Sequence, residues 1–151
     1  MPTDWIKRTI YATTLHPEHV HVFLTKNPKR LPEFNPWPAN AWVGFSATGP
    51  EFYGDLCHML SVMATVKFVS LEPLLSDLTH TTSGREIPHV YGLHRLDWIV
   101  IGARTNPLKL PTRKAVDDIE YMAVREHVPV FEKASLATLF PERKLRQEYP
   151  K

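Results

Sequence analysis

Val66-Lys67-Phe68-Val69-Ser70-Leu71-Glu72-Pro73-Leu74-Leu75 decides how the chain is read. Bulky β-branched and aromatic residues at Val66, Phe68, Val69 and Leu71 suit a strand buried on both faces, because a strand with one wet face alternates more cleanly. Pro73 cannot donate to a sheet ladder and holds Glu72 extended, so the strand ends there with a carboxylate at its carboxyl end. In a βα architecture that end is where sites are built.

The neighbouring segments repeat the design. Ala41-Trp42-Val43-Gly44-Phe45-Ser46 is a second apolar run ending at a hydroxyl, and Asp97-Trp98-Ile99-Val100-Ile101-Gly102 is another ending at a glycine. His19-Val20-His21-Val22-Phe23-Leu24-Thr25-Lys26 reads as a strand leaving the core at Lys26, and Val128-Pro129-Val130-Phe131-Glu132-Lys133 as a shorter fifth one. Helices alternate with these strands. From residue 4 to about residue 15, Trp5, Ile6, Ile10 and Tyr11 recur at helical spacing, with Thr3 or Asp4 as the cap. Gly49-Pro50-Glu51 opens a second helix, whose Phe52, Leu56, Met59, Leu60 and Met63 share one face. A third runs from about residue 112 to 126, with Ala115, Val116, Ile119, Met122 and Ala123 inward. Residues 31–40, 76–95 and 136–151 read as connections and tail, the tail holding one helical turn at most. The alternation predicts an α/β fold, as a partial (β/α) barrel or an open, mainly parallel sheet of about five strands with flanking helices. Five strands are too few to close an eight-stranded barrel.

The 151 residues fit one domain spanning 1–151. No stretch is long and apolar enough to span a bilayer and the polar start is unlike a signal peptide, so the expectation is a soluble, cytoplasmic protein with no membrane partner. Cys57 is alone, which excludes an internal disulfide and any multi-cysteine zinc or iron–sulfur site within one copy. The net charge of +2 is mild and spread out, a weak hint of an anionic ligand.

Lys26, Ser46, Glu72 and Lys133 each stand where a strand ends, and the remaining strand runs into Gly102-Ala103-Arg104-Thr105-Asn106. Parallel strands bring these ends to one rim. Cations around a single glutamate suit a small anionic or zwitterionic ligand, the cations meeting a carboxylate or phosphate and Glu72 an amine or hydroxyl. His16, His19 and His21 crowd one segment, yet no carboxylate or cysteine in a recognisable spacing completes a metal site. His80, His89 and His94 read as solvated loop residues, Cys57 as a buried inert thiol, and Trp5, Trp37, Trp42 and Trp98 as core or rim packing.

Several of these segments also carry a likeness. Pro17-Glu18-His19 leading to Phe23-Leu24-Thr25-Lys26-Asn27-Pro28, then Trp42-Val43-Gly44-Phe45-Ser46, Phe68-Val69-Ser70-Leu71-Glu72-Pro73-Leu74-Leu75, Asp97-Trp98-Ile99-Val100-Ile101-Gly102-Ala103 with Thr105-Asn106-Pro107, Val130-Phe131-Glu132-Lys133 and the terminal Leu145-Arg146-Gln147-Glu148-Tyr149-Pro150 resemble, in order, the motifs of phage-related, radical S-adenosylmethionine-like proteins of unknown function. The resemblance implies a partial (β/α) barrel. It also implies, for complete members, S-adenosylmethionine and a [4Fe–4S] cluster held by three closely spaced cysteines. This chain has no such triplet and reads as beginning after the family's first strand, so neither cofactor is expected to act in it as written. Arg104 and Ala134-Ser135 depart from the family's pattern. Carried over by rim position, Ser46, Glu72, Gly102 and Arg104 fall on the cofactor side, and Lys26 and Lys133 beside the substrate.

Two functional readings follow. The first is a radical S-adenosylmethionine-like domain, catalytically silent for want of its cluster, that keeps a polar pocket at the carboxyl ends of the strands. The second is a binding module for nucleic acid or for a partner chain, the partner being a complementing chain or a second copy, since loss of the first βα unit leaves an exposed edge near residues 19–26.

Overall fold

The computed structural model describes residues 2–80, 83–87 and 90–151. The strands are β1 (His21–Thr25), β2 (Ala41–Ser46), β3 (Val66–Leu71), β4 (Trp98–Ile101), β5 (Arg104–Thr105), β6 (Leu108–Lys109) and β7 (Val130–Glu132). Five of them form one parallel sheet in the order β1-β2-β3-β4-β7, and β5 and β6 make a separate antiparallel hairpin. The α/β class and the open five-stranded sheet agree with the alternation in the sequence, and the sheet does not close. The hairpin was not anticipated, because two residues per strand carry no periodicity.

Neighbours in the chain are neighbours in the sheet, so right-handed crossovers place every connecting helix on the same side. The packing shows this directly. Val43, Phe45, Val69, Leu71, Ile99, Ile101 and Val130 point into one core with Phe52, Leu56 and Met59 of α2 (Phe52–Met59) and Val116, Ile119 and Met122 of α3 (Arg113–Arg125). Ile6 and Ile10 of α1 (Thr3–Thr14) pack against that same core. The opposite face carries a smaller cluster of Phe68, Trp98 and Val100, with Trp42 and Phe131 packed on it and no helix among them. Each strand thus presents alternate residues to a helix-covered face and to a face without helices.

Four sequence expectations need correction, the first being the cap of α1: Pro2 holds that place, and neither Thr3 nor Asp4 caps the helix. The second helix stops at Met59, so Leu60 and Met63 lie 49% and 63% exposed and Val62 takes the inward place. The cause lies upstream: Asn35 accepts from Met63 N at 2.8 Å and donates to Ser61 O at 2.7 Å, and Trp37 N donates to Met63 O, which pulls the chain off the helix axis. Trp5 and Tyr11 are exposed, because α1 meets the core through a narrow stripe at positions 6 and 10. Cys57 is exposed rather than buried, its thiol donating to Tyr53 O at 3.3 Å. His80 and His94 are about half exposed and face Asp77 and Glu126, and His89 lies outside the described residues. Among the described residues no helix is long and apolar enough to cross a membrane.

The tail is loop and turn, as read from the sequence, except where residues 146–148 meet β7. Those residues run antiparallel along the outer edge of β7, with Glu132 N donating to Arg146 O at 2.8 Å and Glu148 N to Val130 O at 3.0 Å. Glu132 is fully buried and anchors it: Arg143 donates to its carboxylate from Nη1 at 2.7 Å and from Nη2 at 2.9 Å, and Arg146 N adds a third bond at 2.6 Å. Glu120 joins the same Arg143 at 3.0 Å. Burial, reinforced by the nearby Glu132 charge, raises the Glu120 carboxyl above its ordinary 4.5. The folded chain therefore holds a proton there that the unfolded chain releases, so this contribution to stability is present at low pH and is lost as pH rises from 4.5 through the raised value. Against Glu120→Gln, the wild type should fall behind in urea midpoint between about pH 4 and pH 7; a difference equal at both would contradict this.

Candidate functional site

The carboxyl ends of β3, β4 and β7 build the site. Period-2 alternation carries Phe68 and Ser70 on to Glu72, Trp98 and Val100 on to Gly102, and Phe131 on to Lys133, which puts all of these on the face without helices. Gly102 N donates to Leu71 O at 3.1 Å and Leu74 N returns to Gly102 O at 2.9 Å, locking the turn after Glu72 to the end of β4. The Glu72–Pro73 peptide is cis. Lys133 N extends the ladder by donating to Ile101 O at 2.9 Å.

Lys133 stands two strands from Glu72, and β4 lies between them. It reaches across nevertheless: Nζ sits 3.0 Å from Glu72 Oε2. Gly102 makes that reach feasible, since a Cβ there would lie 3.0 Å from Glu72 Cγ and 3.1 Å from Oε1. Ser135 Oγ accepts from Ala103 N at 3.0 Å and ties the Gly102-Ala103 turn to the segment after Lys133. The pair is reachable from solvent, the Glu72 side chain being 30% and the Lys133 side chain 45% exposed.

The structure thus gathers Glu72, Gly102 and Lys133. Ser46 lies one strand away, in register with Ser70 on the same face. Lys26, at the end of β1, is two strand spacings from β3, about 10 Å, and makes no hydrogen bond or ion pair among the described residues. Arg104 is tied into its hairpin, donating from Nε to Pro107 O at 3.1 Å, and is not bonded to the Glu72–Lys133 pair. Ser70 and Ser135 were missed from the sequence; the parity shared by positions 70 and 72 would have found Ser70, whereas nothing local marks Ser135.

Four residues from the rim, toward the amino ends of the strands, the helix-free face is aromatic, with Phe68 and Trp98 buried in it. Trp98 packs edge-on to Trp42 at 5.6 Å, and Tyr149 of the tail stacks on Trp98 at 5.6 Å. A carboxylate and an ammonium above an aromatic floor are complementary to a zwitterion with an apolar or ring-bearing body. The chain's residues do not fit an iron–sulfur cluster: its one thiol sits on α2, in the helical layer, and three thiolates are needed to hold a cluster with an open iron.

Hollows lie elsewhere in the molecule. One of about 780 Å³ opens at the amino ends of the strands, beside Val66, Asp97 and Val128. Ligands of parallel sheets collect at the opposite end, and around this hollow Arg146 faces Glu148 at 2.9 Å and His94 faces Glu126 at 3.8 Å. A second, about 450 Å³, lies along α3 beside Asp117, Tyr121 and Arg125, and a third, about 290 Å³, lies beside β1 and is lined by Ile6, Phe23, Leu31, Phe34 and Trp37. His16 and His19 approach Glu18 at 3.3 and 3.5 Å, but no group of three His, Cys, Asp or Glu side chains among the described residues is placed to hold a metal ion.

Residues 1–135 match the model of a family described as proteins of unknown function, DUF5131. No curated protein and no solved structure matches the chain. Every rim residue falls inside the matched stretch, as do Glu120 and Glu132, whereas Arg143 falls outside it.

Proposed function

The chain belongs to the DUF5131 family, and from that premise we propose that it is a radical S-adenosylmethionine-like domain that binds without catalysing, taking a zwitterionic amino-acid end at its carboxyl rim. The ligand proposed is S-adenosylmethionine, with its ammonium on Glu72, its carboxylate on Lys133 and its ring-bearing body toward the aromatic face. The observation that carries this is the Glu72–Lys133 ion pair spanning Gly102 at 3.0 Å. Each partner holds the place of one ligand charge, and exchanging the pair for a ligand costs little, because an exposed ion pair is worth about 0–1 kcal/mol. The motif order supports the ancestry. The single cysteine supports silence in reductive cleavage, which needs an electron from a cluster these residues do not hold.

Titration calorimetry with S-adenosylmethionine tests the reading. Exposed charges give weak binding, of order 100 µM. Glu72→Ala should weaken it about tenfold or more while leaving the urea midpoint within about 0.5 kcal/mol of wild type. Heat indistinguishable from buffer dilution with the wild-type protein would remove the pocket.

A further inference from the structure

The hollow of about 290 Å³ has walls whose chemistry selects a ligand. It lies on the helix-covered side of the sheet, where Phe23 packs against the main core, and extends past the carboxyl end of β1 to Thr25 and Asn27. Native interiors leave few voids larger than a water, and this one holds the volume of about ten waters. Its walls are rings. Phe23 meets Trp37 with centroids 5.1 Å apart and planes tilted by 58°, and Phe34 meets Trp37 edge-on at 6.0 Å. Leu31, Phe34 and Trp37 are buried, and the half-buried Ile6 of α1 lines the hollow beside them. Trp37 Nε1 donates to Leu31 O at 3.2 Å, which fixes the indole and satisfies its polar atom, leaving an apolar face to the hollow.

Among the residues lining this hollow, Arg30 alone carries a charge. Its guanidinium stands 5.8 Å from the centroid of the Phe34 ring, and Nη2 donates to Thr3 Oγ1 at 3.0 Å and to Glu33 Oε2 at 3.4 Å. These bonds run to α1 and to the 3-10 helix Pro28–Phe34, and they hold the cation in the wall. Glu33 is half exposed and does not line the hollow, so the formal charge on the walls is positive. We propose that this hollow is a second small-molecule site, which takes an aromatic carboxylate of about ten non-hydrogen atoms. The ring lies among Phe23, Phe34 and Trp37, and the carboxylate meets Arg30. It takes the place of Glu33, whose 3.4 Å contact is long for a charge-assisted bond. The planar guanidinium receives a carboxylate through parallel bonds, and the rings favour tilted or offset partners, so the charge and the ring of the ligand are both read. Glu72 and Lys133 stand on the opposite face of the sheet, and this assignment is independent of binding at the rim.

Phenylacetate is the probe, titrated into the wild-type chain and followed by proton–nitrogen correlation NMR. The Trp37 indole N–H resonance, identified by its loss in Trp37→Phe, should shift with a dissociation constant of about 0.1–1 mM. The Trp98 indole, on the helix-free face, should stay in place. Phenylacetamide keeps the ring without the charge and acetate the charge without the ring; each should bind at least about tenfold more weakly. Arg30→Gln should weaken phenylacetate about tenfold or more. Ile6→Phe, which enlarges a side chain on the wall of the hollow, should abolish binding in a chain that still unfolds cooperatively in urea. Where that variant does not fold, Arg30→Gln decides alone. A wild type that leaves the Trp37 signal unmoved overturns the proposal, and a shift at Trp98 in its place does so by moving the acid to the other face. Phenylacetamide bound as tightly as the acid, or affinity that survives Arg30→Gln or a folded Ile6→Phe, overturns it equally.

Discussion

Arg143→Ala is expected to lower the stability of the fold by about 3–5 kcal/mol, the usual cost of stripping one partner from a buried ion pair. Glu132 has no exposed surface, and Arg143 supplies two of the three hydrogen bonds that its carboxylate receives, at 2.7 and 2.9 Å. Alanine leaves that charge in the core with a single backbone donor, Arg146 N. It also removes the guanidinium lying 4.1 Å over the Phe140 ring and leaves Glu120 facing Glu132 without a cation between them. Glu132→Gln in the same background should recover part of the loss, since an uncharged amide costs less to bury. Urea unfolding of the three proteins decides the matter; an Arg143→Ala midpoint equal to wild type would mean that the tail pairing does not hold Glu132 in solution.

The second large effect is expected at Gly44, in the middle of β2. Phe68, on the neighbouring strand, lies flat against it: a Cβ at this position would sit 2.6 Å from three atoms of the ring. Phe68 is 2% exposed and packs against Trp98 at 5.6 Å, so the ring has nowhere close to move. Gly44→Val, although valine favours strands, should cost about 3 kcal/mol through overpacking. Phe68→Ala alone should cost about 3–5 kcal/mol through the cavity it leaves. Combined, the two should cost less than their sum by at least 1 kcal/mol, because valine fills space the ring vacates. Additive losses in the double variant would show that the contact does not set the cost.

Much of this architecture was legible in the residues. Ala41–Ser46 and the run from Val66 to Leu71 are continuous apolar segments closed by a hydroxyl or by proline, and both strands fall where those limits place them. Thr112 accepts from Ala115 N at 3.2 Å, as a side chain at that point of an amphipathic helix should. The errors come from contacts distant in sequence. Leu60 and Met63 continue the spacing of α2, but Asn35, 28 residues before Met63, takes hold of the backbone and ends the helix first. The tail shows no alternation, since its pairing with β7 depends on Arg143 finding Glu132. At the rim, the strand ends identified Glu72 and Lys133 singly, and parity placed them on one face. Their contact runs past Gly102 on the strand between, where a Cβ would press on the Glu72 side chain, and no spacing encodes that approach. Lys26 and Arg104 stand apart from that pair, Lys26 at the end of β1, two strands from β3, and Arg104 in the hairpin with its Nε donating to Pro107 O.

The order β1-β2-β3-β4-β7, identical to the order of the chain, also bears on how the molecule is assembled. Each strand docks on the sheet strand that precedes it in the chain, so no pairing within the sheet waits for a later segment. A chain emerging from synthesis can extend its sheet one strand at a time. The exception is the last step: β7 brings Glu132 into the core eleven residues before Arg143 exists to neutralise it. The final segment thus completes the sheet only when its cation arrives, making Arg143 the point at which an open series of additions becomes a closed, cooperative unit.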